Sequence, residues 1–213
     1  IDCPEYEKEL TNKIMNGGTI AIPYVTQDHW ISTLSQNRQG EITFQINCYH
    51  EMVQGFRTIF KKSTNLNTVD FTNTYSRPTG IQNYQIVVGN KYFPVQQCDI
   101  NGVNSNAVQF NEVLKYFNKV KNFVDGVDFH EDSAEPSESN YLIASTFKTW
   151  YDSEQWMIDQ HEYFLDGLDC TNINQIVFRM NKTGLDNEVY NLYHYTDYVG
   201  ALVISKDGVS ILK

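Results

Sequence analysis

Positive charge is scarce in this chain: 16 Lys and Arg stand against 26 Asp and Glu, a formal net charge of -10. Neutralisation of phosphates by Lys and Arg supplies most of the affinity for a nucleic-acid backbone, so no direct nucleic-acid binding is expected. An anionic membrane surface is disfavoured for the same reason. No run of residues approaches the roughly 18 apolar positions of a bilayer-spanning helix, and no signal-peptide core is visible, so membrane insertion is not expected. Cysteine is sparse and scattered: Cys3, Cys48, Cys98 and Cys170 form no C-x-x-C pair, which removes the zinc knuckle and the thioredoxin-like site. Two disulfides would suit a secreted protein. A chain of this length does not need them, and free, mostly buried thiols are expected. The chain opens at Ile1 without a methionine, as a processed product, an excised domain or the ordered part of something longer would.

What is present is core-forming material. The 213 residues are 41% hydrophobic and 14% aromatic, enough for one large all-β domain or two small ones. Tyr6, Leu10 and Ile14 fall at helical spacing between Pro4 and Met15, before Gly17-Gly18, which predicts a short surface helix with a glycine stop. Ile20, Ile22 and Tyr24 then alternate with Thr19 and Ala21, and Pro23 places that strand at an edge or a bulge. Trp30–Leu34 is expected to resume it after Gln27-Asp28. Glu41–Asn47 is the cleanest strand, with Ile42, Phe44 and Ile46 on one side. Phe56–Phe60 follows, with Arg57 turned outward. Lys61–Thr79 reads as a long polar loop, and loops of that length in compact domains usually carry contacts.

Tyr84, Ile86 and Val88 make the next alternating run, and Gly89-Asn90 turns it towards Tyr92-Phe93-Pro94. One long helix is predicted, Ala107 to Val124, with Phe110, Val113, Leu114, Phe117, Val120 and Val124 as its apolar stripe. Asn106 and Gln109 resemble a capping box, and Gly126 is the stop. Asp125–Ser139 is acidic and loop-like. Tyr141–Trp150 returns to strand, Asp152–Gln160 is a helical turn or bulky loop, and Glu162–Leu168 and Gln175–Met180 are further strands. The chain closes on Asn191–Ser205, a turn at Lys206-Asp207-Gly208 and a partner strand to Leu212. Asp-Gly between apolar runs signals a type I′ hairpin. Val203, Ile204, Val209 and Ile211 are expected to pack into the sandwich. The absence of βαβ alternation excludes a parallel sheet. The fold class is therefore all-β: an eight-stranded antiparallel jelly-roll sandwich with one inserted helix, a single domain over 1–213.

No residue stands out for chemistry. Asp125, Asp128, His130, Glu131, Asp132 and Glu135 cluster, but the EF-hand spacing fails and a solvated acidic loop is the plainer reading. The histidines His29, His50, His130, His161 and His194 are isolated, with no H-E-x-x-H. No G-x-S-x-G elbow, Walker loop or G-x-G-x-x-G is present. Asn181-Lys182-Thr183 is a lone glycosylation sequon. Tyr24, Trp30, Trp150, Tyr151 and Trp156 could stack sugars, although aromatics at strand positions more often face a core or a subunit. The expected catalytic, cofactor-binding and metal-binding sets are empty, and the chain is not expected to be an enzyme.

Four segments carry a resemblance: Gly17–Tyr24, Tyr84–Pro94, Tyr163–Asp169 with Asn174–Phe178, and Tyr193–Leu212. Together, and in this order, they resemble the C-terminal jelly roll of double-jelly-roll major capsid proteins, of the virophage, Polinton-type and adenovirus-like lineages. Such proteins carry two rolls, and only the second is visible here. The resemblance implies a structural capsid protein of the virion, assembled inside the host cell into pseudo-hexagonal trimers that tile an icosahedral shell. Its implied partners are other copies of the chain, an N-terminal roll of the same protein, and minor capsid or penton proteins. It implies no catalytic residues. The competing reading is a non-catalytic carbohydrate- or receptor-binding β-sandwich.

Overall fold

The computed structural model describes residues 4–63, 77–100, 106–117, 141–148, 166–173 and 175–212. A helix, α1 (Pro4–Met15), precedes strands β1 (Ile20–Leu34), β2 (Gly40–Asn47), β3 (Val53–Lys62), β4 (Ile81–Val88) and β5 (Lys91–Asp99). Helix α2 (Asn106–Tyr116) follows, then β6 (Leu142–Thr146), β7 (Gln175–Lys182), β8 (Tyr190–Ser205) and β9 (Gly208–Leu212). The strands pair from the outside inward: β1 with β8, β2 with β7, β3 with β6 and β4 with β5, all antiparallel. That is the pattern of one long antiparallel hairpin rolled up on itself. The cross-pairs β3–β8 and β4–β7 fuse it into two sheets, ordered β1-β8-β3-β6 and β2-β7-β4-β5. Eight strands wound this way are a jelly roll, as the alternation in the sequence predicts.

The core lies between the sheets. Inward positions follow the period of two along β8, where Tyr190, Leu192, His194, Thr196 and Tyr198 are buried in turn. Phe56 and Phe60 of β3, Tyr84 and Ile86 of β4, and Ile176, Phe178 and Met180 of β7 meet them. Arg57 faces out, as predicted, with its guanidinium 4.8 Å from the Tyr195 ring centre. On that outer face, α2 packs Val113 against Leu142 and Ala144 of β6, with Ile59, Tyr116 and Phe117 around them. Gly55 makes room for the helix: a Cβ there would meet the Tyr116 ring at 2.8 Å.

Several boundaries differ from the sequence reading. The two pieces of the first strand are one continuous β1, because Gln27 and Asp28 pair with Asp197 and Thr196 without interruption. Pro23 lies on the edge strand, where a missing N–H costs no ladder bond. The described part of the long helix is Asn106–Tyr116; Val120, Val124 and Gly126 lie outside the described residues. Gln109 does not reach back to a cap. Its Nε2 donates to the Leu142 carbonyl at 2.9 Å, tying the helix to β6. The strand after Tyr141 is shorter than predicted, and Leu168 makes only an isolated bridge to Val53. In the closing hairpin Ser205 pairs with Gly208, so Lys206-Asp207 form the turn and the positive φ, 126°, falls on Gly208. The helical turn or bulky loop expected over 152–160, the acidic cluster over 125–139 and residues 162–165 of the strand expected to end at Leu168 lie outside the described residues.

At one end of the roll, the segment entering β4 crosses the segment leaving β7 with no room for side chains. Gly80 has φ 73°, and a Cβ on it would sit 2.1 Å from the Gly184 nitrogen. Gly80→Ala therefore combines a left-handed backbone with a backbone clash. It is expected to lower stability by about 2 kcal/mol or more, read as a fall in the urea midpoint. Gly40→Ala, also at positive φ but with open space around it, should lose less.

Candidate assembly surface

The two sheets differ in length, and the difference leaves a row of aliphatic side chains exposed. β1 and β8 have 15 and 16 residues, whereas β2 and β7 have 8 each. At about 3.4 Å per residue the longer strands overhang the opposing sheet by roughly 25 Å. A polar cluster closes the sandwich where the overhang begins. The His50 ring stacks on Tyr198 with centroids 3.4 Å apart, and His50 Nε2 lies 2.7 Å from Asp28 Oδ2. The Tyr198 hydroxyl donates to Asp28 Oδ1 at 3.4 Å. Burial first, and the Asp28 charge second, push that hydroxyl up to about 12, so it remains a neutral donor.

Beyond this cluster β9 takes the place of β3 beside β8, giving a three-stranded ribbon of β1, β8 and β9. In its register Ile20, Ile204 and Val209 lie abreast, and Ile22, Leu202 and Ile211 form the next row. These six aliphatic residues continue the core-facing side of β1 and β8 past the end of the core. Ile22 is 47% exposed, Val209 64% and Ile211 58%. The prediction that Val203, Ile204, Val209 and Ile211 pack into the sandwich is thus corrected: the hairpin forms, but the opposing sheet stops short of it. Removing Gly208–Lys213 is accordingly expected to leave the thermal midpoint of the roll within a few degrees, because Val209 and Ile211 contribute little to its core. A fall of more than about 10 °C would place β9 in the core after all.

The other candidate groups do not gather into a reaction centre. His194 and His50 are separate, the His29 ring contacts Tyr195, and His130 and His161 lie outside the described residues. Among the described residues no three His, Cys, Asp or Glu side chains converge as metal ligands. Cys48, Cys98 and Cys170 are free and buried, as predicted; Cys3 is outside the described residues. Trp30 packs against the core and Tyr24 is half-buried, so neither offers an open stacking face, and Trp150, Tyr151 and Trp156 are outside the described residues. Asn181 of the sequon sits inside the β2-β7-β4 ladder, opposite Glu41 and Asn83, and not on a surface loop. A groove of 680 Å³ between β5, α2 and β6 holds Glu112, Lys115 and Lys148. Its charges answer one another: Glu112 pairs with Lys115 at 2.7 Å and accepts from Ser145 Oγ at 3.3 Å. Burial holds the Lys148 ammonium below its ordinary value.

The pairing order defines the class: a jelly-roll β-sandwich whose longer sheet carries an aliphatic ribbon left partly exposed among the described residues. No protein-family model and no curated protein matches the chain. Among solved structures the chain is similar to the PBCV-1 virus capsid, with a TM-score of 0.49 and 9% identity over 96% of this chain and 54% of that one. It is similar also to the mavirus major capsid protein, with a TM-score of 0.42 and 10% identity over 91% of this chain and 41% of that one. A chain of the Sputnik virophage structure gives a TM-score of 0.39 and 17% identity, over 91% of this chain and 38% of that one. The chain therefore spans about half the length, or less, of these proteins.

Proposed function

We propose that this chain is a non-enzymatic structural protein of a viral capsid, the C-terminal roll of a longer double-roll protein that forms trimeric capsomers of an icosahedral shell. The observation that carries the proposal is the aliphatic ribbon, an extension of the core side of one sheet with nothing among the described residues to cover it. The four-segment resemblance in the sequence supplies the kind of assembly. Other copies of the chain, an N-terminal roll, and minor capsid or penton proteins are the partners this reading implies, and the virion is its location. A carbohydrate-binding role has no comparable support: of the candidate stacking aromatics, Trp30 packs against the core.

Magnitudes favour a closed assembly over an isolated pair. Burying the exposed parts of Ile22, Val209 and Ile211, with the remainder of Ile20, Leu202 and Ile204, contributes roughly 3–6 kcal/mol at 1.5–3 per fully buried side chain. Association costs about 4–15 kcal/mol in lost freedom, so one ribbon contact alone is weak. A ring in which every chain both offers and covers a ribbon shares that cost over several contacts. Sedimentation velocity over a range of concentrations tests the proposal. The expected result is a concentration-dependent shift from the monomer to a trimer; a single monomer boundary at the highest concentration would overturn it.

A further inference from the structure

Two of the buried thiols face each other across the end of a strand pair. Cys48 directly follows β2, and Cys170 lies in the segment leading to β7, the strands whose ladder ends on the Asn47–Gln175 pair. Past that pair the two segments stay in contact. The Cys170 N–H donates to the His50 carbonyl at 2.9 Å, and Leu168 and Val53 exchange backbone hydrogen bonds at 2.8 and 3.0 Å. Both thiols are free and 0% exposed, they belong to the same core cluster, and they lie near enough for each to shift the other's titration. Cys98 is differently placed, against the Tyr84 hydroxyl across the β4–β5 pair, and burial pushes its thiol up to about 11.

We propose that Cys48 and Cys170 are a built cross-link site, which closes to an intramolecular disulfide when the chain meets a small-molecule disulfide such as oxidised glutathione. The neighbouring Cys170 side chain holds the Cys48 thiol below its ordinary value, and the neighbouring Cys48 holds Cys170 above its own. Cys48 is therefore the first nucleophile. Its thiolate attacks one sulfur of the glutathione disulfide, that S–S bond breaks, and one glutathione thiolate leaves. The Cys170 thiolate then attacks the Cys48 sulfur of the mixed disulfide and expels the second. Two protein thiols are oxidised, the two electrons reduce one glutathione disulfide, and the two protons end on the two glutathione thiols. Neither sulfur is exposed, so local opening of the segments beside β2 and β7 precedes exchange. The bond would fasten two segments far apart in sequence and so restrict the unfolded chain.

The full chain is incubated with oxidised glutathione at about pH 8, where a useful fraction of thiolate exists, blocked with iodoacetamide and mapped by mass spectrometry without reduction. The expected product is a Cys48–Cys170 peptide pair lacking two hydrogens, in the unaltered chain and in Cys98→Ser, but absent from Cys48→Ser and Cys170→Ser. The thermal midpoint of the oxidised chain should rise by several degrees and return with dithiothreitol. Alkylated Cys48 and Cys170, a stable glutathione adduct on Cys48, or a bond to Cys98 or Cys3 would overturn the proposal. Because mapping the unaltered chain decides the matter, a variant that fails to fold does not blunt it. The result is independent of whether the roll assembles into capsomers.

Discussion

Replacing Lys182 with methionine is expected to cost the roll about 3–5 kcal/mol, a large share of the 5–15 kcal/mol typical of a domain. Lys182 ends the inward series Ile176, Phe178, Met180 on β7, so its ammonium lies where an apolar group would be expected; it is 1% exposed. Asp186 Oδ2 lies 3.0 Å from its Nζ, and the Lys182 ammonium also donates to the Gly184 carbonyl. The pair is held by charge more than by a well-aligned hydrogen bond, for Asp186 Oδ2 itself makes none. Asp186 Oδ1 accepts from the Thr79 N–H at 2.9 Å, and its carbonyl accepts from Asn37 N–H, also at 2.9 Å. One residue thus fastens three connections: those before β2, before β4 and before β8. Without Lys182 its carboxylate stays buried and unmatched, and the uncompensated charge rather than the lost contact dominates the penalty. With a urea slope of about 1–3 kcal/mol per molar, the midpoint should fall by about 1 M or more. The double variant Lys182→Met, Asp186→Leu should recover much of the loss, although Thr79 N–H then lacks an acceptor. An unchanged midpoint in the single variant would show that the charge reaches solvent.

Acid should weaken the roll through His194. Its ring is fully buried among Phe44, Phe56 and Phe178, with centroids 5.6, 5.8 and 5.9 Å away. Nδ1 lies 2.9 Å from Thr58 Oγ1 and Nε2 has no partner. No charged side chain appears among these contacts, and burial lowers the imidazole from its ordinary 6.5 to about 4. The folded chain then binds fewer protons than the unfolded chain between those values. The stability due to a neutral His194 is complete above pH 6.5 and is lost progressively as pH falls towards 4. The total is roughly 3 kcal/mol, since each pH unit between the two values is worth about 1.4 kcal/mol. Urea midpoints of the unaltered chain should fall across this window more steeply than those of His194→Leu. Parallel slopes would mean that the ring is protonated in the fold or reached by water.

Local patterns carry most of this fold. The period of two in Ile42-Phe44-Ile46 or Tyr84-Ile86-Val88 reports which side of a strand is buried without knowledge of its partner. His194 was read only as an isolated histidine and Lys182 fell beyond a strand expected to end at Met180, yet both occupy inward positions of otherwise apolar series. What they meet there, Thr58 and Asp186, depends on tertiary packing. Gln27-Asp28 looks like a break in β1 because polarity ordinarily marks a turn; here Asp28 is drawn to His50 and Tyr198 at the mouth of the sandwich. The ribbon was hidden for a different reason. Val209 and Ile211 show the alternation of a core strand, and only the relative lengths of β1, β8, β2 and β7 reveal that the sheet of β2 and β7 stops short of them. The Cys48–Cys170 contact likewise arises from the roll's winding, which no local spacing encodes.

The most direct test of the ribbon as the assembly surface is sedimentation velocity on Val209→Asp, Ile211→Asp beside the unaltered chain. Both positions are more than half exposed, so charge there should leave the thermal midpoint nearly unchanged. The unaltered chain is expected to shift to the trimer with rising concentration, while the double variant sediments as a monomer throughout. Equal assembly by the two chains, at equal thermal stability, would contradict the account.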